Sequence, residues 1–498
     1  MNKIAKNLLF GFGGQALTLA MSMILPRIIL VSFGSEINGI TATISQIFTY
    51  ITLLEAGIGN AAVNCLYKNI ADDDRAGISE TVSATEKYFR RIVPVYTLCI
   101  LVFAIVYPLV VNTNVSPITI CQIILLQGLG GIVNFRFTNT YTQLLVADGR
   151  NYVFSNLTLM VKAVATGLQI LLISLGFDIV SVQLSLLFAY IIKAIIINVY
   201  TKKHYPWLTK IKNADIKILS QRGAFVIHEI STVIFQNTDI FLISVFCSIK
   251  EASVYSVYNM VFVALSGITT IFFKGIDFNL GLEYHRDIEK YKKMHDTYET
   301  MINCFVFAII SAAYLVMLPF VRLYTAGVTD INYIIPILPV LFSVIQLLSA
   351  SRSVASKLIT ISGHAKETIP NTIAETVINL VSSVVFVLVL GMEGVLLGTI
   401  VALLYRTNDI ILYANIKILK RKPWHAYKTM LLNFVLFAAI VAVTYALPLP
   451  IGNYLQFLLW GAISLLATLV CYYGANCVFD RNMRVYLCSI MKTIIHIK

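Results

Sequence analysis

Apolar runs of about 20 residues recur from one end of this chain to the other, broken only by short turns and basic clusters. A run of that length crosses the hydrocarbon core of a bilayer as a helix, because in lipid every backbone N–H and C=O must be satisfied within the segment. The pattern predicts fourteen membrane helices, at about 8–32, 37–67, 89–111, 117–146, 153–175, 179–201, 223–246, 253–275, 298–325, 333–360, 371–390, 394–417, 428–448 and 454–478. Soluble domains carry about 25% charged residues; this chain carries 13%, with 58% hydrophobic residues. The first run follows "MNKIAKN" and ends in "PRIILVSFG". It is too long for a signal-peptide core and has no small-residue cleavage site, so it reads as a retained span.

Basic residues set the orientation. Thirty of the thirty-eight Lys and Arg fall in the N-terminus and in segments 68–91, 147–152, 202–222, 274–297, 357–370, 417–428 and 479–498; the opposite loops hold only Lys250. The positive-inside rule then puts both termini in the cytoplasm. The net charge of +13 is thereby a topology signal that also suits anionic headgroups, and it requires no nucleic acid. Two basic segments, 283–301 and 481–498, mix charge with Tyr, Met and Ile at helical spacing and predict helices lying in the headgroup layer. The eight cysteines are scattered without metal-ligand spacing, so neither a disulfide framework nor a zinc site is expected.

The chain also repeats itself at an offset of about 214. "ADGRNYVFSNL" (147–157) resembles "ISGHAKETIPNT" (361–372), with Gly149 and Gly363 in register, and "SFGSEINGI" resembles "VFCSIKEAS". Three parts follow: a six-helix lobe at 1–212, a second at 213–422, and two additional helices with a tail at 423–498. Six spans per repeat give the lobes one orientation, a pseudo-axis near the membrane normal and a cavity between them.

A charge at the bilayer centre costs at least about 2.5–3.5 kcal/mol, so each one at membrane depth needs a reason. The basic ones are Arg27, Arg136, Lys162, Lys193, Arg322, Arg352 and Arg406; the acidic ones are Glu55, Glu229, Asp239, Glu375 and Asp409. Lys193 and Arg322 lie near helix ends and read as snorkelling side chains. Arg406 and Asp409, three apart, can neutralise each other, and Glu375 suits the positive end of its helix. Arg27 follows Pro26, which loosens helical bonding. Arg136 and Arg352 are 216 apart, on the fourth span of each repeat. Facing guanidinium groups suit an anion held by bidentate, charge-assisted bonds; structural pairing with Glu55 or Asp239 is the alternative. Lys162 is mid-span. Glu55 sits in "LLEAGIGNAAVN" (53–64), among small residues that let helices approach closely. Asp239 belongs to "VIHEISTVIFQNTDIFLI", with His228, Glu229, Gln236 and Asn237, which reads either as a buried polar seam or as a cation or proton site.

The sequence carries no signature of enzyme chemistry: no phosphate-binding loop, no HExxH, no G-x-S-x-G and no large extramembrane domain. A non-enzyme is expected, with no cofactor.

The stretch "PRIILVSFGSEINGITATISQIFTYITLLEAGIGNAAVNCLYKNIADDDRAGI", the "ADGRNY…N" turn and the whole-length arrangement of spans resemble the Wzx-type O-antigen and capsule repeat-unit flippases. These belong to the multidrug, oligosaccharidyl-lipid and polysaccharide exporter superfamily. The resemblance implies an all-α membrane protein of two six-helix lobes in a V shape plus two C-terminal helices, working by alternating access. It implies a polyprenyl-pyrophosphate-linked oligosaccharide as substrate, carried to the outer leaflet, and a polysaccharide polymerase as partner. Related lipid II flippases form a lipid-tail groove with their two additional helices, and this chain has two as well. Arg27, Arg136, Arg352 and Lys162 would hold the anionic headgroup in a cavity. Glu55 and Asp239 would serve ion coupling or gating, driven by a proton or sodium gradient. A multidrug or cation antiporter of the same fold, and a lipid-linked glycan polymerase, are the competing expectations. The first would rely on carboxylates; the second would need a sizeable outer loop.

Overall fold

In a computed structural model of the chain, the structure describes residues 3–55, 58–211, 214–219, 223–446, 449–480 and 483–485. Among them every regular element is a helix. Packing divides the chain into two units, residues 1–253 and 254–498. The first holds α1 (Lys3–Thr52), α2 (Ile58–Ala71), α3 (Arg75–Val110), α4 (Pro117–Val133), α5 (Asn139–Ala147), α6 (Asn151–Ser174), α7 (Ile179–His204), α8 (Gly223–Phe246) and the start of α9 (Ile249–Arg286). The second holds the rest of α9 with α10 (Ile288–Tyr324), α11 (Ile337–Ser351), α12 (Ser353–Ile361), α13 (Ile369–Leu390), α14 (Met392–Leu412), α15 (Trp424–Ala446) and α16 (Tyr454–Phe479). The repeat assigns α8 to the second lobe; its packing against α1, through Tyr50 and Thr238 at 2.6 Å, counts it with the first unit.

Twelve helices among the described residues are long and apolar enough to cross a membrane, and the molecule is a multi-pass membrane protein. Two features account for the difference from fourteen. Helix α1 runs over Gly34, whose φ of 81° and ψ of 178° break it, so the spans expected at 8–32 and 37–67 meet within it. Helix α8 contributes a shorter apolar stretch, Ile230–Phe246. The outward faces are apolar, with Leu388, Val389 and Val470 at 69%, 79% and 74% exposure, as lipid contact requires.

Lipid removes the hydrophobic drive between helices, so close packing and interhelical hydrogen bonds must hold them together. The α13–α14 hairpin uses both. Gly394 and Gly398, one turn apart, face α13 so closely that an added Cβ would lie 2.2 Å from the Phe386 carbonyl oxygen and 2.5 Å from the Ser383 nitrogen. Asn379 then donates to Thr399 at 2.9 Å and Ser383 to the Val395 carbonyl at 3.2 Å.

Helix starts follow their caps. Asp74 accepts from the Gly77 N–H at 2.9 Å and begins α3 at Arg75. Much of the segment expected as a basic loop (68–91) is therefore helix. A second expectation fails at 283–301, which is not a separate interfacial helix. Helix α9 runs on to Arg286, and Asp287 caps α10 by accepting from Glu289 and Lys290 at 3.0 and 3.1 Å. The Tyr and Met side chains that suggested headgroup contact pack on protein instead: Tyr284, Tyr291, Met294 and Tyr298 surround Leu358 and Ile359 of α12. Of the second such segment, all but 483–485 lies outside the described residues.

The internal repeat is visible in the elements. Paired helices α4–α5 correspond to α11–α12, α6 to α13, and α7 to α14. Gly149 and Gly363, 214 apart in sequence, sit at the same junctions with φ of 70° and 78°. At the α1–α9 contact, partners come from matching repeat positions: Lys250 lies 3.7 Å from Glu36, 214 residues away, and Asn38 donates to Ser253 at 2.7 Å, 215 away. Glu36 also accepts from Thr113 and twice from Asn114, at 2.6, 2.9 and 2.9 Å, fastening the α3–α4 turn.

Candidate functional site

In the first unit the span formed by α4 and α5 is underwound between Asn134 and Thr138, where the Asn139 N–H bonds the Asn134 carbonyl five residues back. Such one-turn π segments recur at functional positions in helices. Arg136 lies in this turn. Its Nη1 meets Glu86 Oε1 at 3.2 Å, and its guanidinium carbon lies 5.3 Å from the Phe137 ring centre. Lys210 and Arg90 reach the same carboxylate oxygen at 3.0 and 3.5 Å. Lys210 is placed by the segment after α7, which runs along α3 with the Ile211 N–H donating to Ser83 Oγ at 3.0 Å. Three cations against one carboxylate leave a surplus of two positive charges. Lys210 and Arg90 are 71% and 64% exposed and mostly solvated, whereas Arg136 is 30% exposed. Arg136 is thus the member whose charge acts at close range.

Glu55 closes the short 3-10 turn after α1 and accepts from Asn139 Nδ2 at the start of α5. The small-residue surface beside it is a close contact. An added Cβ at Gly59 would lie 2.8 Å from Gln143, and Ala61 and Ala62 are buried. Ala56 and Gly57 lie outside the described residues. Asp239 is buried in α8 at 5% exposure, next to Thr238 and its bond to Tyr50; the side chains of His228 and Glu229 lie outside the described residues. Arg27 is half-buried in α1 after Pro26. Lys162 is exposed on α6.

The second unit treats its arginines differently. Arg352 stands between α11 and α12, closing one helix and opening the next. Its Nη1 donates to Glu375 Oε1 at 2.6 Å. Arg406 Nε lies 3.4 Å from the other Glu375 oxygen, its Nη1 contacts Asp409, and its Nη2 donates to Thr372 at 2.8 Å. Asn371 donates to Asp409 at 2.6 Å. Two guanidinium groups face two carboxylates, and Arg406 and Glu375 are 5% and 7% exposed. This network is neutral and enclosed, so it attracts neither anion nor cation until a pair opens.

Arg136 and Arg352 therefore occupy matching interruptions of matching spans, each on a carboxylate from another helix. The acids do not match. The position 214 before Glu375 is Val161, so the first unit lacks that carboxylate. The second basic residue does match: Lys193 in α7 is 213 before Arg406. Lys193 is buried at 8% exposure and its ammonium lies 4.6 Å from the Phe154 ring centre. It is not the snorkelling side chain its place near a helix end suggests, and the repeat offset was the signal for its burial. Glu86 escapes a reading of the sequence because it falls within the basic segment 68–91.

No protein-family model matches the chain, and a search of curated proteins finds no match. Solved structures with the same fold were found at low identity. The lipid II flippase MurJ in an inward closed conformation is similar with a TM-score of 0.66 and 14% identity, covering 93% of this chain and 98% of that one. An inward-facing multidrug resistance MATE family transporter of the MOP superfamily is similar with a TM-score of 0.57 and 16% identity, covering 86% and 98%. A point mutant of the Vibrio cholerae MATE transporter VcmN is similar with a TM-score of 0.54 and 13% identity, covering 82% and 95%. The chain has the all-helical fold of these membrane transporters and flippases.

Proposed function

We propose that the protein flips a polyprenyl-pyrophosphate-linked oligosaccharide from the cytoplasmic to the outer leaflet, supplying a surface polysaccharide such as O-antigen or capsule. The observation that carries this reading is the charge surplus around Arg136. One carboxylate, Glu86, is shared by three cations, and the position matching the second unit's Glu375 is apolar. A pyrophosphate can displace Glu86 from Arg136 and gain a bidentate, charge-assisted grip. Lys193 belongs to this set by the repeat, with Arg27 and Lys162 as further cations for headgroup or acidic sugars. The likeness in fold to a lipid II flippase supports a lipid-linked substrate. In this reading both termini face the cytoplasm, transport proceeds by alternating access, and a polysaccharide polymerase receives the product. Glu55 and Asp239 couple transport to a proton or sodium gradient, and the Arg352–Glu375–Arg406–Asp409 network re-pairs between states.

The test is polysaccharide export in a strain that depends on this protein. Arg136→Ala should reduce surface polysaccharide at least about 10-fold at unchanged protein level, since one charge-assisted contact contributes about 1.5–3 kcal/mol; Arg136→Lys should recover part of it. Normal export by Arg136→Ala would sink the proposal. A fold shared with multidrug transporters makes cation antiport the competing outcome. Dye efflux abolished by Asp239→Asn, with export untouched, would establish that instead.

A further inference from the structure

On α10, His295, Asp296 and Glu299 place one ligand atom each within 4.8 Å of one another. His295 and Glu299 are one turn apart on a single face, at 0% and 1% exposure. Neither ring nitrogen of His295 and neither carboxylate oxygen of Glu299 has a hydrogen-bond partner among the described residues. The imidazole Nδ1 lies 3.7 Å from Asp296 Oδ1, beyond hydrogen-bond distance. One further turn along that face, Asn303 is buried with its amide oxygen also unpartnered. Burying polar atoms without partners is costly, and a buried unpaired carboxylate is the costliest case.

A proton on Glu299 removes the charge but leaves the imidazole nitrogens and the Asn303 oxygen unsatisfied. A divalent cation satisfies an imidazole nitrogen and two carboxylate oxygens at once. We infer that His295, Asp296 and Glu299 bind a divalent transition-metal ion. The imidazole argues against magnesium and calcium, which take oxygen ligands, and the absence of thiolate argues against copper(I). Zinc or manganese fits the donor set, with the Asn303 amide oxygen or water as fourth ligand. Ligand atoms around tetrahedral zinc, bonded at about 2.0–2.1 Å, are roughly 3.4 Å apart.

The surroundings are built as a metal site's outer shell is built. Asp296 is held on both oxygens by Arg421, at 2.8 and 2.5 Å, and Arg421 Nε donates to Asn415 at 2.9 Å. Thr300, beside Glu299, meets His425 Nε2 at 3.1 Å and donates to Asp480 at 3.2 Å. His425 and Asp480 also line a pocket with Lys428, Thr429 and Asn476. Arg421 precedes α15, His425 lies in its first turn, and Asp480 caps the end of α16. The bonds made by Asp296 and Thr300 thus connect the proposed ligand turn of α10 to the ends of these two helices. The site shares no residue with the arginine clusters, and the inference does not rest on the flippase reading.

The experiment uses the full chain, without a polyhistidine tag, purified in detergent. After chelation and dialysis against zinc or manganese, elemental analysis should find one equivalent of metal per chain. His295→Asn and Glu299→Gln should each weaken binding at least about 10-fold. Cobalt added to the metal-free wild type should give visible absorption bands of a nitrogen- and oxygen-ligated ion, a readout that needs no variant. Wild type that retains no metal and gives no cobalt bands overturns the inference. So do variants that elute as monodisperse protein and bind as tightly as wild type.

Discussion

Arg136 and Arg352 are the same residue type at corresponding places, yet removing each has a different consequence. Glu86 keeps Lys210 when Arg136 is lost, and the site is partly solvated, so Arg136→Ala should cost about 1 kcal/mol of stability or less. Glu375 is buried, but keeps Arg406 when Arg352 is lost; Arg352→Ala should cost about 1–3 kcal/mol. Arg406 serves Glu375, Asp409 and Thr372 together. Arg406→Ala leaves buried carboxylates short of countercharge and should cost about 3–5 kcal/mol. Thermal unfolding in detergent should rank the three in that order, and an Arg136→Ala protein less stable than Arg406→Ala would contradict the burial argument. The sequence makes the arginines visible because a cation in an apolar run is conspicuous and the offset pairs them. Their partners are harder to see. Glu86 looks ordinary among the lysines and arginines of 68–91, and only the start of α3 at Arg75 turns it into a side chain on a helix face. The Arg406–Asp409 contact was legible because it spans three residues of one helix, whereas the Arg352–Glu375 pair joins two helices.

At the scale of elements, helix existence was readable and helix interruption was not. An apolar run declares a span, but the wide turn at 134–138 and the break at Arg352 arise where polar groups compete for backbone positions. The headgroup helix expected at 283–301 failed for a related reason: amphipathic periodicity says that one face is apolar, not whether lipid or α12 covers it. Two consequences can be measured. Gly394 faces a backbone carbonyl of α13, which cannot move aside as a flexible side chain can. Gly394→Ala should therefore destabilise the α13–α14 hairpin by about 1–3 kcal/mol, seen as a lower melting temperature; an unchanged value would mean that the hairpin is looser than its contacts require. Glu36 is the acceptor for the Asn114 N–H and for two side chains of the same turn. Glu36→Ala should speed amide exchange at 113–115 while leaving α3 protected, as read by hydrogen–deuterium exchange.

Over the whole molecule the two repeats share architecture more than chemistry. The turn glycines, the paired fourth spans and the basic residues on α7 and α14 recur, while the carboxylates do not. Gly149 and Gly363 have left-handed backbones and open space around the missing Cβ, so only backbone strain opposes a side chain there. Alanine at either should cost about 1–2 kcal/mol, and the two losses in melting temperature should match within error. A large difference would show that the junctions are not equivalent. The repeat was legible because turns fix residue type tightly. The uneven charge was legible only in outline, because a count of cations and anions cannot say which of them meet.

The wide turn in α4–α5 has a consequence for register. A π segment is an α-helix carrying one residue more than it needs, so the span could lose one residue and still connect its ends. Deleting a single position between 134 and 138 would restore regular winding and leave what lies beyond it facing nearly as before, because the wide turn already absorbs the surplus residue. Asn139 would still meet Glu55, and Gln143 would still pack on Gly59. The surplus residue thus serves the turn itself, and shortening the chain there by one should shift Arg136 from Glu86 and cut transport more than replacing Phe137, exposed on the same turn, with alanine.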